Sequence, residues 1–246
     1  MKRSIRSNYA RKLLQHTDVA TKRCRYPIAG AEFLPVSVNV EKETAKISAV
    51  QLCRSVWSCP FCAYKIIIER RELLRQIFNY YLCLNKRFYF LTLTIRHQRQ
   101  DNTPQFLKKA WRSFAAKRKV KQLFDGVEYV KVFENTVGTN GLHSHFHIIL
   151  ISDQDMKQHE QTIRHQWNYN YRKQTNRQNN QHGVDLRIAT NIDVIDYISK
   201  WDIIKEITGS AEKTSKTLFQ LLTDDDQDNA LFVRYSQMLQ GTRFMT

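Results

Sequence analysis

Apolar residues come along this chain in short bursts whose spacing switches between two and three-to-four residues, the mark of strands alternating with helices. Residues 33–40 and 45–52 hold apolar runs on either side of the polar stretch NVEKETAK and predict a β-hairpin; residues 63–82 predict a helix. RFYFLTLTI, residues 87–95, is dense in β-branched and aromatic side chains and predicts a strand. A helix follows over 104–124, with Pro104 in its first turn. Strands are expected at 127–134 and 142–151, joined by NTVGTNG, whose glycines and asparagines allow a turn with positive φ. Helices are expected at 155–171, 192–207, 214–222 and 230–240, and a short strand at 184–188. The order β-α-β-β-α-β-α predicts an α+β fold: an antiparallel sheet with helices on one face and the other face free for a site.

Composition narrows the class of partner. With 42% hydrophobic residues, 11% aromatics and only 7 Gly and 4 Pro, the chain is neither disordered nor linker-like. Its net charge of +16 draws polyanions, nucleic acid before membrane. Seven basic residues and no acid lie on the helix expected at 104–124. Of these, Lys117, Arg118, Lys119 and Lys121 are candidates for holding a DNA backbone, or for an ordinary solvated helix face. The acidic run 224–228 reads as a solvated loop. Apolar runs such as 148–151 fall far short of the ~20 residues needed to span a bilayer, and the basic N-terminal stretch lacks the apolar core of a signal peptide. Three of the five cysteines crowd into Cys53, Cys59 and Cys62, a metal-like spacing that fits a reducing cytoplasm; Cys83, in an apolar helical context, is expected in the core.

GLHSHFHIILI carries the clearest chemistry. On a strand, His143, His145 and His147 leave from one face while Leu142, Ser144, Phe146 and Ile148 leave from the other. Neighbours two apart are separated by ~6.6 Å, so two imidazoles can converge on one ion where three cannot easily do so. Glu134, the acid near the end of the paired strand, is expected as a third ligand. Nitrogen plus carboxylate with open positions suits a divalent ion that polarises a phosphoryl or carbonyl oxygen, and ligand type does not separate zinc, manganese and magnesium.

In NIDVIDYISKWD, Asp193, Tyr197, Lys200 and Trp201 share one helical face. A phenol of ordinary pKa ~10 is a poor nucleophile unless a nearby cation such as Lys200 or a metal favours the phenolate. Asp193 is placed to activate a water, and the same arrangement also suits a solvated ion pair beside a core aromatic.

Together, FLTLT at 90–94, VKVFE ending at Glu134, HSHFHIIL and DVIDYISK resemble the rolling-circle plasmid replication initiators (Rep) of the HUH endonuclease superfamily, over nearly the whole chain. The resemblance implies an HUH, ferredoxin-like palm at residues 85–246 behind a small N-terminal zinc-binding subdomain at 1–84. His145 and His147, around Phe146, match the paired metal-binding histidines of that family, Glu134 its acidic ligand, and His143 a neighbouring or alternative ligand. The implied ion is Mn²⁺ or Mg²⁺. Tyr197 falls on the nucleophile that leaves a 5′-phosphotyrosyl link and a free 3′-OH; Asp193 stands where these initiators usually carry Glu, and Lys200 on the family's lysine one turn further on. RCRY and CRSVWSCPFC resemble the family's cysteine pattern, which implies a structural Zn²⁺ on Cys24, Cys53, Cys59 and Cys62. Implied partners are single-stranded DNA, the double-strand origin hairpin, and a host helicase, single-strand binding protein and polymerase. Single-tyrosine transposases and relaxases share this chemistry; a zinc-stabilised DNA-binding module is the non-enzymatic alternative.

Overall fold

The computed structural model describes residues 3–41, 44–179, 181–190 and 215–246. In chain order these form α1 (Arg3–Leu13), β1 (Val36–Asn39), β2 (Thr44–Ile47), α2 (Pro60–Cys83), β3 (Arg87–Thr94), α3 (Thr103–Ala115), α4 (Arg118–Leu123), β4 (Glu128–Gly138), β5 (Gly141–Ser152), α5 (Glu160–Thr175), β6 (Val184–Ala189) and α6 (Asp226–Met238). The chain divides into two compact units: Met1–Ile67 with Leu221–Gln240, and Ile68–Gln220 with Gly241–Thr246. The helix expected at 192–207 lies outside the described residues.

In the first unit, β1 and β2 pair antiparallel from Val36↔Ile47 to Asn39↔Thr44, as the hairpin pattern predicts. Helix α1 is not announced by the sequence pattern. Among the described side chains its buried stripe is Ser7 and Ala10, with Leu14 just beyond, too narrow to stand out among basic neighbours. The acidic run at 224–228 is not a loop throughout: the Asp225 carboxylate accepts from the N–H groups of Gln227 and Asp228 at 2.8 and 2.9 Å and caps α6. Asp226 and Asp228 then sit in its first turn, where the helix dipole favours negative charge. Tyr9 ties the ends of this unit together, donating to the Thr223 carbonyl (2.9 Å) and accepting from Asn229 Nδ2 (2.8 Å).

The second unit is built on a four-stranded antiparallel sheet of order β4-β5-β3-β6 packed against helices. Strands β4 and β5 run further than their expected bounds and close with Gly138 opposite Gly141, so the turn is two residues long and Gly141 takes φ +86°. Helices α3 and α5 cover one face: Trp111 packs on Phe146 and Phe114 on Trp167 with ring centroids 5.6 and 5.7 Å apart. The opposite face is not wholly free, which corrects the expectation of helices on one side only. Leu74 and Phe78 of α2 bury against Phe88, Ile149, Ile151 and Ala189 and cover half of it. This explains the shape of the β5 sequence: it alternates through HSHFH where α2 does not cover the histidine face, and becomes continuously apolar from Ile148 to Ile151 where both faces are covered. Cys83, in the last turn of α2, is exposed rather than core, because the inward side of that helix is set by Leu74 and Phe78 with Ile77, Tyr81 and Leu82.

The helix expected over 104–124 is broken. Lys117 is extended (φ −69°, ψ 131°) and separates α3 from α4. Thr103, Pro104, Leu107, Ala110 and Phe114 are the buried positions of α3, and an unbroken helix would carry that stripe on to Arg118 and Lys121. The break turns Val120 inward instead. The free edge of β4 is also paired: Lys131 exchanges backbone bonds of 2.8 and 2.9 Å with Thr246, Phe133 donates to the Phe244 carbonyl (2.8 Å), and Val137 exchanges with Lys216.

Candidate metal centre and its surroundings

The pleat of β5 sends His143, His145 and His147 to the half of the sheet face that α2 leaves open, and the register sets Glu134 opposite His145 and Thr92 opposite His147. There the two imidazoles converge. His145 Nε2 and His147 Nε2 lie 3.0 Å apart, and Glu134 Oε2 is 2.9 Å from His147 and 3.3 Å from His145. Adjacent donors on an octahedral ion with bonds of about 2.1 Å are about 3.0 Å apart, so this three-atom group has the spacing of one face of a divalent site. Glu134, His145 and His147 could together hold a metal ion. Burial pushes the Glu134 carboxyl upward, but hydrogen bonds and charge from His145 and His147 outweigh it and hold the group well below the usual carboxylate range.

Thr92 Oγ1 stands 3.2 Å from His147 Nδ1, a contact that orients the ring with Nε2 toward Glu134 and His145. His143 is engaged on both nitrogens, by Thr94 Oγ1 and by His97 Nε2, each at 3.3 Å. Burial, with the nearby His145 and His97, pushes its pKa down to about 4, so it is a neutral neighbour of the donor group. Thr92, Thr94 and His97 were not singled out from the sequence. The alternation of FLTLT marks two threonines on one face, but which face follows only from pairing with β5.

The first unit holds a second group. Cys24 Sγ lies 3.6 Å from Cys62 Sγ and 3.7 Å from Cys59 Sγ, and Cys53 Sγ 3.7 Å from Cys62 Sγ. A tetrahedral zinc with Zn–S bonds of about 2.3 Å has S···S edges of about 3.8 Å, so the four sulfurs fit that ion. The β1–β2 hairpin accounts for Cys24 meeting Cys53 across 28 intervening residues. At its base Arg25 N–H donates to Gln51 O, Gln51 N–H to Tyr26 O and Ile28 N–H to Ala49 O, at 2.7 to 2.9 Å. Arg25 and Arg54, each directly after a cysteine, take φ of +68° and +52° and turn the chain around the sulfurs. Cys59 and Cys62 flank the start of α2, where Pro60 is the first helical residue.

The model of the Replication protein family matches residues 44–246, most of the chain. The chain belongs to this Rep_1 family of plasmid rolling-circle replication initiators. Proteins of the Rep family are origin nickases. Neither a curated protein nor a solved structure matches the chain significantly. Among the described residues of this Rep protein, no helix is long and apolar enough to cross a membrane.

The remaining sequence candidates fall in two places. Lys117 directly precedes α4, its ammonium 5.5 Å from the Tyr169 ring centre, and Arg118, Lys119 and Lys121 follow on that helix, exposed. Phe124, which ends α4, packs on Phe114 and Tyr129, so these cations belong to the helical layer across the sheet from the histidines. Asp193, Tyr197 and Lys200 lie outside the described residues.

Proposed function

We propose that this Rep protein nicks single-stranded origin DNA by transesterification and later rejoins the strands. The observation that carries the reading is the convergence of His145 Nε2, His147 Nε2 and Glu134 Oε2 within 3.3 Å on the part of the sheet face that α2 does not cover, in a chain of a family of origin nickases. A divalent ion (Mn²⁺ or Mg²⁺) bound there supplies polarisation of a phosphoryl oxygen. His145, His147 and Glu134 hold its position, Thr92 orients His147, and the carboxylate charge balances the cation. Tyr197 is the nucleophile: its phenolate oxygen bonds to phosphorus, the bond from phosphorus to the 3′-oxygen breaks, and a 5′-phosphotyrosyl link and a free 3′-OH result. Lys200 favours the phenolate, and Asp193 activates a water as general base in a later step. Zn²⁺ on Cys24, Cys53, Cys59 and Cys62 is structural, and Lys117, Arg118, Lys119 and Lys121 contact the DNA backbone. A host helicase, single-strand binding protein and polymerase would act on the 3′-OH and displaced strand.

The test is a denaturing gel of a labelled single-stranded origin oligonucleotide incubated with Mn²⁺. A covalent adduct is expected, absent in Tyr197→Phe and in the His145→Ala, His147→Ala double variant. Binding without any adduct would instead make the protein a zinc-stabilised DNA-binding module.

A further inference from the structure

On the face of the sheet opposite the histidines, β4, β5, α3 and the segment Gly241–Thr246 enclose a cavity of about 300 Å³. Four cations line it, Lys108, Arg112, Lys131 and Arg243, and no acidic residue does. None of the four forms an ion pair among the described residues. Lys131 is held instead by aromatic faces, its ammonium 4.6 Å from the ring centre of Trp111 and 4.9 Å from that of Phe146. Lys108 donates to Thr242 Oγ1 at 3.0 Å and so fastens the segment that closes the cavity. That segment is already paired to β4 through Thr246 and Phe244, so the walls are preformed.

This collection of charge is costly to the fold. Burial lowers the pKa of Lys131 to about 8 and pulls Lys108 down as well, with no Asp or Glu side chain in the lining to offset it. A methionine would fill the Lys131 position against Trp111 and Phe146 without that cost, and half-buried cations held without an acidic side chain mark a place kept for a ligand. An anion would supply the missing countercharge, and guanidinium groups suit phosphate oxygens. The aromatic wall adds a surface for a flat ring or sugar, and the volume lies at the lower end of the range for small-ligand pockets, room for one nucleotide and not for a duplex.

We propose that this cavity binds one nucleotide unit, its phosphate held by Lys108, Arg112, Lys131 and Arg243 and its ring or sugar against Trp111. A free mononucleotide and a nucleotide of a single strand share this chemistry. The site is separate from the nicking centre and does not depend on it.

The experiment is calorimetric titration of the full chain, with no Mg²⁺ or Mn²⁺ added, using dAMP, inorganic phosphate and a single-stranded oligonucleotide without origin sequence. Omitting the divalent ion keeps nicking chemistry out, so failure here leaves the proposed nickase untouched. Saturable one-to-one binding of dAMP is expected, weakened at least tenfold by Lys131→Met and by Arg243→Gln, and unchanged by the charge-matched Arg70→Gln on the exposed side of α2. Arg243 is exposed, so its variant reports on the cavity even where Lys131→Met disturbs packing. Weakening of the oligonucleotide alone would also uphold the site and name the strand as its source. Inorganic phosphate binding as tightly as dAMP, or both variants binding like the wild type, would overturn the proposal.

Discussion

Glu134 stands directly across the β4–β5 ladder from His145, yet its carboxylate lies closer to His147: 2.9 Å against 3.3 Å to the two Nε2 atoms. One acid thus spans two histidines two residues apart on the neighbouring strand. Without it, the imidazoles face each other at 3.0 Å with no negative charge between them.

Replacing Glu134 with Gln keeps the size and removes the charge. Metal affinity should fall by more than the 10–100-fold typical of losing a supporting partner, read as Mn²⁺ binding by titration calorimetry, with the fold intact. Unchanged Mn²⁺ affinity would remove Glu134 from the ligand set.

Thr92→Val tests the support of His147. The side chains are nearly the same shape, so stability should change little, while loss of the 3.2 Å contact to Nδ1 should weaken metal binding about 10–100-fold. A large drop in melting temperature with normal Mn²⁺ affinity would make Thr92 a packing residue only.

The four-cysteine group should bind one zinc per chain, measurable by elemental analysis and by the spectrum of a cobalt-substituted protein. Cys59→Ser should lose the metal and lower the melting temperature, because three small sulfur side chains cannot replace the bond energy that joins Cys24 and the hairpin to α2. Cys83→Ser, at an exposed position, should leave both unchanged.

Lys131 gives a prediction of opposite sign. Its folded pKa of about 8 lies below the ordinary lysine value, so folding is penalised while the group is charged. The penalty is fully present below about pH 8 and disappears as pH rises through the unfolded value of ~10.4. The charged side chains lining the cavity with it are Lys108 and Arg112 from α3 and Arg243 from the closing segment, all of its own sign. Lys131→Met should therefore stabilise the protein at neutral pH by about 1 to 2 kcal/mol, allowing for solvent screening, with the gain fading from about pH 8 and gone by about pH 10.4. A denaturant series at pH 7 and pH 10 measures it. Equal gain at both would trace the effect to packing.

Periodicity alone placed most of the strands and the face shared by His143, His145 and His147, because alternation along a strand is a local property that needs no partner. The CPFC spacing around the start of α2 is local in the same way: Cys59 and Cys62 are three residues apart at a helix start, and Pro60 fixes where that start lies. Family membership was also legible there, since the motifs that carry it are short and contiguous. What the tertiary structure decided is everything that depends on which segments meet. It chose Glu134 and His147 as nearest partners, set Thr92 and Thr94 beneath the histidines, and joined Cys24 to Cys53 through a hairpin whose length no spacing rule predicts. It covered half of the histidine face with α2, and broke the basic helix at Lys117 so that Val120 rather than a cation turns inward. These outcomes come from register, twist and the burial of apolar area between segments distant in sequence, and such pairings are settled only when the whole sheet and its helices pack together.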